Sequence, residues 1–235
     1  MMHDKVIGMI GGIAPPSTIE YYQKLIEGFQ LQMQTNHYPP ILINSIDMTT
    51  MLSLVSEKNL DGLITYLYGE IEKLQRAGAE VVFLASNTPH LVFYELQKKT
   101  DVPLVSIVQA CVEYAKSCNF KKLGLFGTRS TMQSGFYQSE FSRNDIDVVI
   151  PLPEQQEYIH EKYMSELVKG IVLDETRKHF VDIAAALKQQ NGIEGLILGG
   201  TELPFLLHEH DLPQLPLLNT TEIHVASILA QALKN

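Results

Sequence analysis

The sequence predicts an α/β protein in which parallel sheets are covered by helices on both faces. Three observations lead to this fold class. Short apolar segments alternate with amphipathic helical segments along all 235 residues, as in parallel strands joined by helical crossovers. Several apolar segments end in glycines, and the same order of segments occurs twice. With 45% hydrophobic residues, the chain can bury a core as one large domain or two small ones.

The first half opens with the apolar run Val6–Ile10, which ends in Gly11-Gly12 as a buried parallel strand does. A helix is expected from Ser17, with a buried apolar stripe formed by Ile19, Tyr22, Ile26 and Phe29. Further strands are predicted over 41–46, 81–84 and 103–107, and helices over 60–78 and 91–96.

The second half repeats this order. A strand over 123–128, helices over 155–169 and 174–189 and a strand over 193–198 follow one another. Gly8–Gly12 matches Gly124–Thr128 at an offset of 116, and Ser86–Thr88 matches Gly200–Glu202 at an offset of 114. These offsets predict an internal duplication, which gives two pseudo-symmetric Rossmann-like parallel-sheet halves with the site between them. We place the halves at 1–105 and 106–220, with a last helix over 221–235 that can cross back to the first half.

Composition narrows the function classes. A formal charge of −9 without a cluster of basic residues argues against nucleic-acid binding. No apolar run is long enough to cross a bilayer, and the chain enters its first strand without a leader, so a cytoplasmic location is expected. Cys111 and Cys118 are predicted to be reduced and to bind no metal. Neither a metal, pyridoxal phosphate nor a nucleotide is implied as cofactor, because no motif for any of them occurs.

The strand exits are the expected place for chemistry. Ligands of parallel sheets bind beyond the carboxyl ends of the strands. Four predicted exits are rich in small and hydroxyl residues: Gly11-Gly12, Ser86-Asn87-Thr88, Gly127-Thr128 and Gly199-Gly200-Thr201. Three of them lead into helices whose N-terminal N–H groups favour an anion such as a carboxylate. The sequence therefore predicts a site for a small acid.

Four segments resemble the aspartate/glutamate racemase family, in order and at family spacing, over nearly the whole chain. They are Ile7–Gly12 with Ser17-Thr18 and Tyr21-Tyr22, Ser86–His90, Gly127–Met132 and Leu198–Leu203. The resemblance implies a mechanism without cofactor, in which one thiol takes the Cα proton and a second thiol returns a proton to the opposite face. It also implies that Asn87, Thr88 and Thr201 hold the α-carboxylate and amino group, with helix capping as the alternative.

The sequence departs from the family at both thiol positions, which are Ser86 and Gly200. A hydroxyl is too weakly acidic to serve unaided as a base for Cα, and glycine offers no group. An introduced Cys→Ser change would also give Ser86, although Gly200 is not a usual choice for that purpose. If the scaffold is still a racemase site, Ser86→Cys with Gly200→Cys is expected to raise racemisation.

Five further residues are candidates for the site. Glu202 could replace a missing thiol as base if it is desolvated, or cap a helix. His90 could act as a substitute base or be a half-buried helical histidine. Asp47 could face the site or cap a turn. Arg129 and Lys162 are candidate cations for a substrate side-chain carboxylate, with solvent-facing roles as the alternative.

Three functional hypotheses follow. The first is an amino-acid racemase for aspartate or glutamate, with reduced activity. The second is an isomerase, lyase or hydrolase that needs one base and acts on another small carboxylic acid. The third is a catalytically inactive amino-acid-binding protein. The expected partners are an acidic amino acid and a second copy of the chain in a homodimer, as is common in the family.

Overall fold

The computed structural model describes residues 5–233, and the chain divides into two compact units. The first unit combines the chain up to Ile107 with the residues from His224 onward, and the second is Val108–Ile223. The last helix, α11 (Thr220–Ala232), starts in the second unit, and its residues from His224 belong to the first. The expectation that no leader precedes the first strand concerns positions 1–4, which lie outside the described residues.

The first unit contains a parallel four-stranded sheet in the order β2-β1-β3-β4. Its strands are β1 (Ile7–Gly11), β2 (Ile41–Ser45), β3 (Val81–Leu84) and β4 (Leu104–Val105). Its helices are α1 (Pro15–Met33), α2 (Met48–Ser56), α3 (Leu60–Arg76) and α4 (Phe93–Lys99), and a 3-10 turn over Thr88–Val92 precedes α4.

The second unit contains a parallel sheet in the equivalent order β6-β5-β7-β8. Its strands are β5 (Lys122–Gly127), β6 (Asp147–Val149), β7 (Gly195–Gly199) and β8 (Leu217–Asn219). Its helices are α5 (Ile107–Ser117), α6 (Arg129–Gln133), α7 (Phe136–Ser142), α8 (Pro153–Ser165), α9 (Asp174–Asn191) and α10 (Leu203–Leu206). 3-10 turns lie at Leu167–Lys169 and Glu209–Asp211.

Strand register repeats between the two units. Gly8 of β1 pairs with Val82 of β3, and Gly124 of β5 pairs with Leu196 of β7. These are the residues that the offsets of 116 and 114 equate in the sequence. The repeat found in the sequence is therefore a repeat of strand order and register. The α/β fold class with two parallel sheets is confirmed.

Helices cover both faces of the first sheet because its central strands are apolar on both sides. On one face, Ile10 and Leu84 pack with side chains of α3 such as Leu67. On the other face, Met9 and Phe83 pack with residues of α1 and α11. In the second unit, α8 and α9 pack on β5 and β7 through a core that includes Phe126, Phe180 and Leu196.

Two predicted elements differ from the structure, and one helix was not predicted. The buried face of α1 is Ser17, Tyr21, Leu25 and Phe29, at intervals of four residues. The predicted stripe was therefore wrong at Ile19 and Tyr22, which are 59% and 44% exposed. Helix α2 was not predicted, and the fourth strand is two residues long instead of five. No helix of the described residues is long and apolar enough to span a membrane.

Candidate active site

The first candidate segment follows β3 in the first unit. After Leu84 the chain passes through Ala85 into Ser86, Asn87 and Thr88, all buried. The Asn87 side chain makes no cap for the 3-10 turn that follows, so capping does not account for this residue. The buried polar side chains come directly after a buried parallel strand, as the sequence predicts.

His90 holds this segment in place. Its Nε2 accepts a hydrogen bond from the Ile107 N–H at 3.1 Å, so the ring proton is on Nδ1, which is 2.9 Å from the Ser86 carbonyl oxygen and donates to it. Burial lowers the pKa of His90 to about 4, so the ring is neutral at pH 7. Both nitrogens are bound to backbone groups, and these bonds count against the hypothesis that His90 acts as a base.

A second buried histidine, His224 of α11, lies beside His90 with a ring-centroid separation of 6.0 Å. Its Nε2 lies 3.1 Å from the carbonyl oxygen of Val105, and its Nδ1 lies 2.9 Å from the hydroxyl of Tyr21. A carbonyl oxygen only accepts, so Nε2 carries the proton and Nδ1 accepts from the tyrosine. Burial, and then the neighbouring His90, lower the pKa of His224 to about 3. Sequence reasoning missed this residue because it lies in a helix without a motif.

Asp47 is an exposed helix cap in the structure. Its carboxylate accepts from the N–H groups of Thr49 and Thr50, both at 3.1 Å, and from the Thr50 hydroxyl at 2.7 Å. The Thr50 hydroxyl bond and then the two N–H bonds lower the pKa of Asp47. Of the two roles predicted for Asp47, these contacts support the cap of α2.

The second candidate segment follows β7 in the second unit. Thr201 and Glu202 are 2% and 1% exposed. Oε2 of Glu202 accepts hydrogen bonds from the Tyr163 hydroxyl and, at 2.9 Å, from the Thr201 hydroxyl. Glu202 makes no side-chain cap for α10, so the alternative of a capping acid is not supported. The structure gives Glu202 buried hydroxyl donors, which offset the cost of removing a carboxylate from water.

Gly200 lies against the ring of Tyr163, a residue of α8. A Cβ added at Gly200 would lie 2.7 Å from the hydroxyl oxygen of Tyr163 and 2.9 Å from its Cζ, with Cε2 closer still. Real Cβ atoms do not approach other heavy atoms this closely. Sequence reasoning did not single out Tyr163, because nothing in its local sequence marks it as a partner of position 200.

The two candidate cations are paired with glutamates. Arg129 forms an ion pair with Glu157 through two nitrogens, and both side chains are about half exposed. Lys162 lies 2.7 Å from an oxygen of Glu166, and this bond raises the pKa of the lysine. A substrate carboxylate would have to share or displace these partners.

At the exits of β1 and β5, threonine hydroxyls accept hydrogen bonds from backbone N–H groups. Gly12 has a φ of 81°, a left-handed conformation that glycine adopts without strain, and its N–H donates to the Thr18 hydroxyl at 2.8 Å. Thr128 caps α6, with its hydroxyl oxygen accepting from the Thr131 N–H.

The helices at the exits give little support for an anion site. Of the elements that follow the four exits, only α1 is longer than five residues. The α1 helix starts with Pro15-Pro16, which have no N–H groups to offer. The expectation that helix N-termini favour an anion is therefore weak at these exits.

Neither cysteine lies at a strand exit. Cys111 is buried in α5, and burial raises the pKa of its thiol, so the thiolate is disfavoured. Cys118 is exposed just after α5.

Within residues 5–233, one group of potential metal ligands lies close together. It consists of His208, His210 and Asp211, whose ligand atoms are within 4.8 Å of one another. Asp211 already accepts from the His208 N–H at 2.8 Å and thereby closes the 3-10 turn. Nδ1 of His208 is buried and makes no hydrogen bond, and it lies 3.4 Å from the same Asp211 oxygen.

Each of the two four-stranded parallel sheets therefore has buried polar residues directly after its third strand along the chain. The family model for Asp/Glu/Hydantoin racemase matches residues 10–228, and the chain belongs to this family. A crystal structure of an aspartate racemase homologue from Pyrococcus horikoshii is 33% identical, with a TM-score of 0.85 over 98% of this chain and 100% of that one.

Two curated proteins are also similar. The broad specificity amino-acid racemase RacX of Bacillus subtilis is 25% identical over 202 residues, which is 80% of this chain and 74% of RacX. The glutamate racemase of Aquifex pyrophilus is 28% identical over 162 residues, 65% of this chain. That match spans 58% of the Aquifex protein, less than two thirds of its length.

Proposed function

We propose that the protein moves the Cα proton of an acidic amino acid without a cofactor, with aspartate as the first substrate to test and glutamate as the second. One observation carries the proposal. The two segments where the family has its proton-transfer groups keep the buried pairs Asn87-Thr88 and Thr201-Glu202 directly after parallel strands. The side chains of Asn87 and Glu202 do not cap the helical turns that follow them, so capping is not the reason these polar residues stand there.

The residues divide into two roles in this proposal. Asn87, Thr88 and Thr201 bind the α-carboxylate and the ammonium group by hydrogen bonds. Ser86 in the first unit and Glu202 in the second are the candidates for proton transfer. A serine hydroxyl is a poor base at neutral pH, so we expect the reaction to be slower than one with two thiols.

Both candidate cations for the side-chain carboxylate of the substrate are engaged in ion pairs with glutamates. Lys162 is the better candidate, since its side chain is 27% exposed against 46% for Arg129, and a shielded cation binds a carboxylate more strongly. RacX is named a broad specificity amino-acid racemase, which supports testing neutral amino acids as substrates beside aspartate and glutamate.

A second candidate function is a binding protein without turnover. Gly200 supports it, because the position of one family thiol carries no reactive group and its space is taken by Tyr163. In this case the amino acid at concentration L stabilises the fold by RT ln(1 + L/Kd), which grows with the logarithm of its concentration above the Kd, and is itself not changed.

The test is proton NMR of L- and D-aspartate and L- and D-glutamate incubated with the protein in D2O. Loss of the Cα proton signal of either enantiomer supports the proposal. The same loss of signal is expected after treatment with EDTA and without added pyridoxal phosphate. Ser86→Ala is the informative variant, with Ser117→Ala on the exposed face of α5 as its matched control. An unchanged signal together with thermal stabilisation by the amino acid would replace the proposal by the binding role.

The homodimer that the family resemblance implies stays a prediction. Size-exclusion chromatography with light scattering tests it, since the chain has a mass of 26.4 kDa and a dimer elutes at twice that mass.

A further inference from the structure

Gly200 and Tyr163 fit each other as a pair. The tyrosine is 5% exposed and lies in the apolar core of the second unit, beside residues of α9 and β7. Its ring and hydroxyl occupy the space into which any side chain at position 200 would project. A glycine at 200 is therefore what the tyrosine at 163 requires.

This pairing changes the meaning of the missing thiol. A cysteine at position 200 needs its Cβ within 3 Å of three atoms of the Tyr163 ring and hydroxyl, so it cannot be accommodated while the tyrosine stays in place. We therefore expect Gly200→Cys with Ser86→Cys to raise racemisation only in a background in which Tyr163 has been made smaller. Space must first be made at Tyr163.

The Tyr163 hydroxyl is bound to a carboxylate, which packing alone does not require. A phenylalanine would fill the same volume, yet the hydroxyl donates to Glu202 and shares that oxygen with Thr201. Burial and the charge of Glu202 raise the pKa of Tyr163 well above its usual value, so the phenol is protonated at neutral pH. The result is a continuous line of hydrogen-bonding groups that ends on a buried carboxylate.

We propose that Tyr163 and Glu202 together replace the missing thiol, with the Tyr163 hydroxyl passing a proton between the substrate Cα and the Glu202 carboxylate. This inference rests on the proposed function and deepens it. As the Cα–H bond breaks, its proton bonds to the Tyr163 oxygen while the tyrosine's own proton moves to Oε2 of Glu202. The electron pair of the C–H bond remains on the substrate as a carbanion.

For the other enantiomer the relay runs in the opposite direction, and the Cα proton is taken on the other face, where Ser86 is the candidate group. The Tyr163 proton bonds to the carbanion, the tyrosine takes the proton back from Glu202, and the carboxylate is restored. Tyr163 stays neutral at both ends of each step, so no phenolate forms beside a carboxylate.

The experiment measures Cα deuterium exchange by NMR for the native protein, Tyr163→Phe and Glu202→Gln. Tyr163→Phe keeps the ring beside Gly200, and Glu202→Gln keeps an oxygen that can accept from the tyrosine. We expect each variant to lose at least about 100-fold in exchange, the usual contribution of acid–base catalysis. The Kd for aspartate should change less than about threefold. Tyr137→Phe, a fully buried tyrosine of the same unit, is the matched control and should exchange as the native protein does.

The outcomes separate the relay from the proposed function. If the native protein exchanges no acidic amino acid, the proposed function and the relay are both overturned. If the native protein exchanges but Tyr163→Phe and Glu202→Gln retain its rate, only the relay is overturned. If Tyr163→Phe does not fold, Glu202→Gln decides alone: a loss of exchange with unchanged binding supports the relay, and a native rate overturns it.

The steric part has its own measurement, a double-mutant cycle on thermal stability. Gly200→Cys alone is expected to lower the Tm markedly. In a background of Tyr163→Ala, which removes the ring, the same change should have little further effect. Equal losses of Tm in both backgrounds would show that the ring does not occupy the space of the thiol and would overturn the pairing.

Discussion

Lowering the pH from 7 to 5 is expected to destabilise the first unit through its two buried histidines. His90 and His224 each use both ring nitrogens in hydrogen bonds that fix the neutral form. Protonating His90 requires Nε2, which already accepts from the Ile107 N–H. Protonating His224 requires Nδ1, which accepts from the Tyr21 hydroxyl, while the two rings lie 6.0 Å apart. The folded state therefore resists both protons.

The sign and size of the effect follow from the two pKa values. In the folded protein they are lowered to about 4 and about 3 from an ordinary 6.5. Between these limits the unfolded chain binds more protons than the folded one, so stability is complete above pH 6.5 and falls as the pH drops below it. Between pH 6.5 and pH 5, each histidine lowers the free energy of unfolding by about 2 kcal/mol, and the two together lower it by about 4 kcal/mol. Because domains are stable by only about 5–15 kcal/mol, this loss is large.

The assay is urea unfolding at pH 7, 6 and 5, followed by circular dichroism because the chain has no tryptophan. His224→Gln removes one titrating ring and keeps an amide that can donate to the Val105 carbonyl. This variant should lose about 2 kcal/mol between pH 7 and pH 5, half the native loss. His37→Gln, at an exposed histidine, should match the native protein. Carboxylates contribute equally to all three proteins and cancel in the comparison.

A pH dependence in His224→Gln as steep as that of the native protein would refute this reasoning. It would mean that the ring is protonated as readily in the folded state as in the unfolded chain, in spite of its burial and its two partners.

Three further predictions concern single positions. In urea unfolding, Gly12→Ala should lower the free energy of unfolding by about 1–3 kcal/mol more than Gly78→Ala does. Both glycines have positive φ, but only a Cβ at Gly12 meets other atoms, including Ser45 Oγ at 2.7 Å; equal losses would contradict the clash. Asp47→Ala should lower the free energy of unfolding by about 0.5–2 kcal/mol, because α2 loses its cap, and should leave Cα exchange unchanged. A loss of exchange at an unchanged Tm would instead place Asp47 in the site. Lys162→Met should raise the KM for aspartate about tenfold, whereas Lys116→Met, a control on an exposed helix pair, should not; equal KM values would exclude Lys162 from substrate binding.

The strand framework could be predicted because its signals are local. An apolar run that ends in glycine marks a parallel strand wherever it occurs, and Gly8–Val82 and Gly124–Leu196 pair as the internal repeat predicts. The apolar face of α1 could not be predicted in the same way. Ile19 and Tyr22 are as apolar as the residues that are buried, so only the packing partners of the helix decide which side faces the sheet.

The candidate site divides along the same line. The place of Ser86–Thr88 and Thr201–Glu202 directly after buried strands could be predicted, because such strands are recognised from a local apolar run. The state of each group depends on contacts distant in sequence. The Ile107 N–H that binds the His90 ring is 17 residues away from it, and no sequence pattern shows that bond.

Position 200 shows what a comparison of single positions leaves out. The family resemblance implies a thiol at position 200, and the glycine found there offers no reactive group. In the structure, the space of that thiol belongs to Tyr163, which meets Glu202 across 39 residues of sequence. The glycine accommodates the ring, and the ring carries a hydroxyl to a buried carboxylate. Because the ring occupies the space beside Gly200, the effect of a substitution at one of these two positions depends on the residue at the other, and variants have to be compared at both positions together.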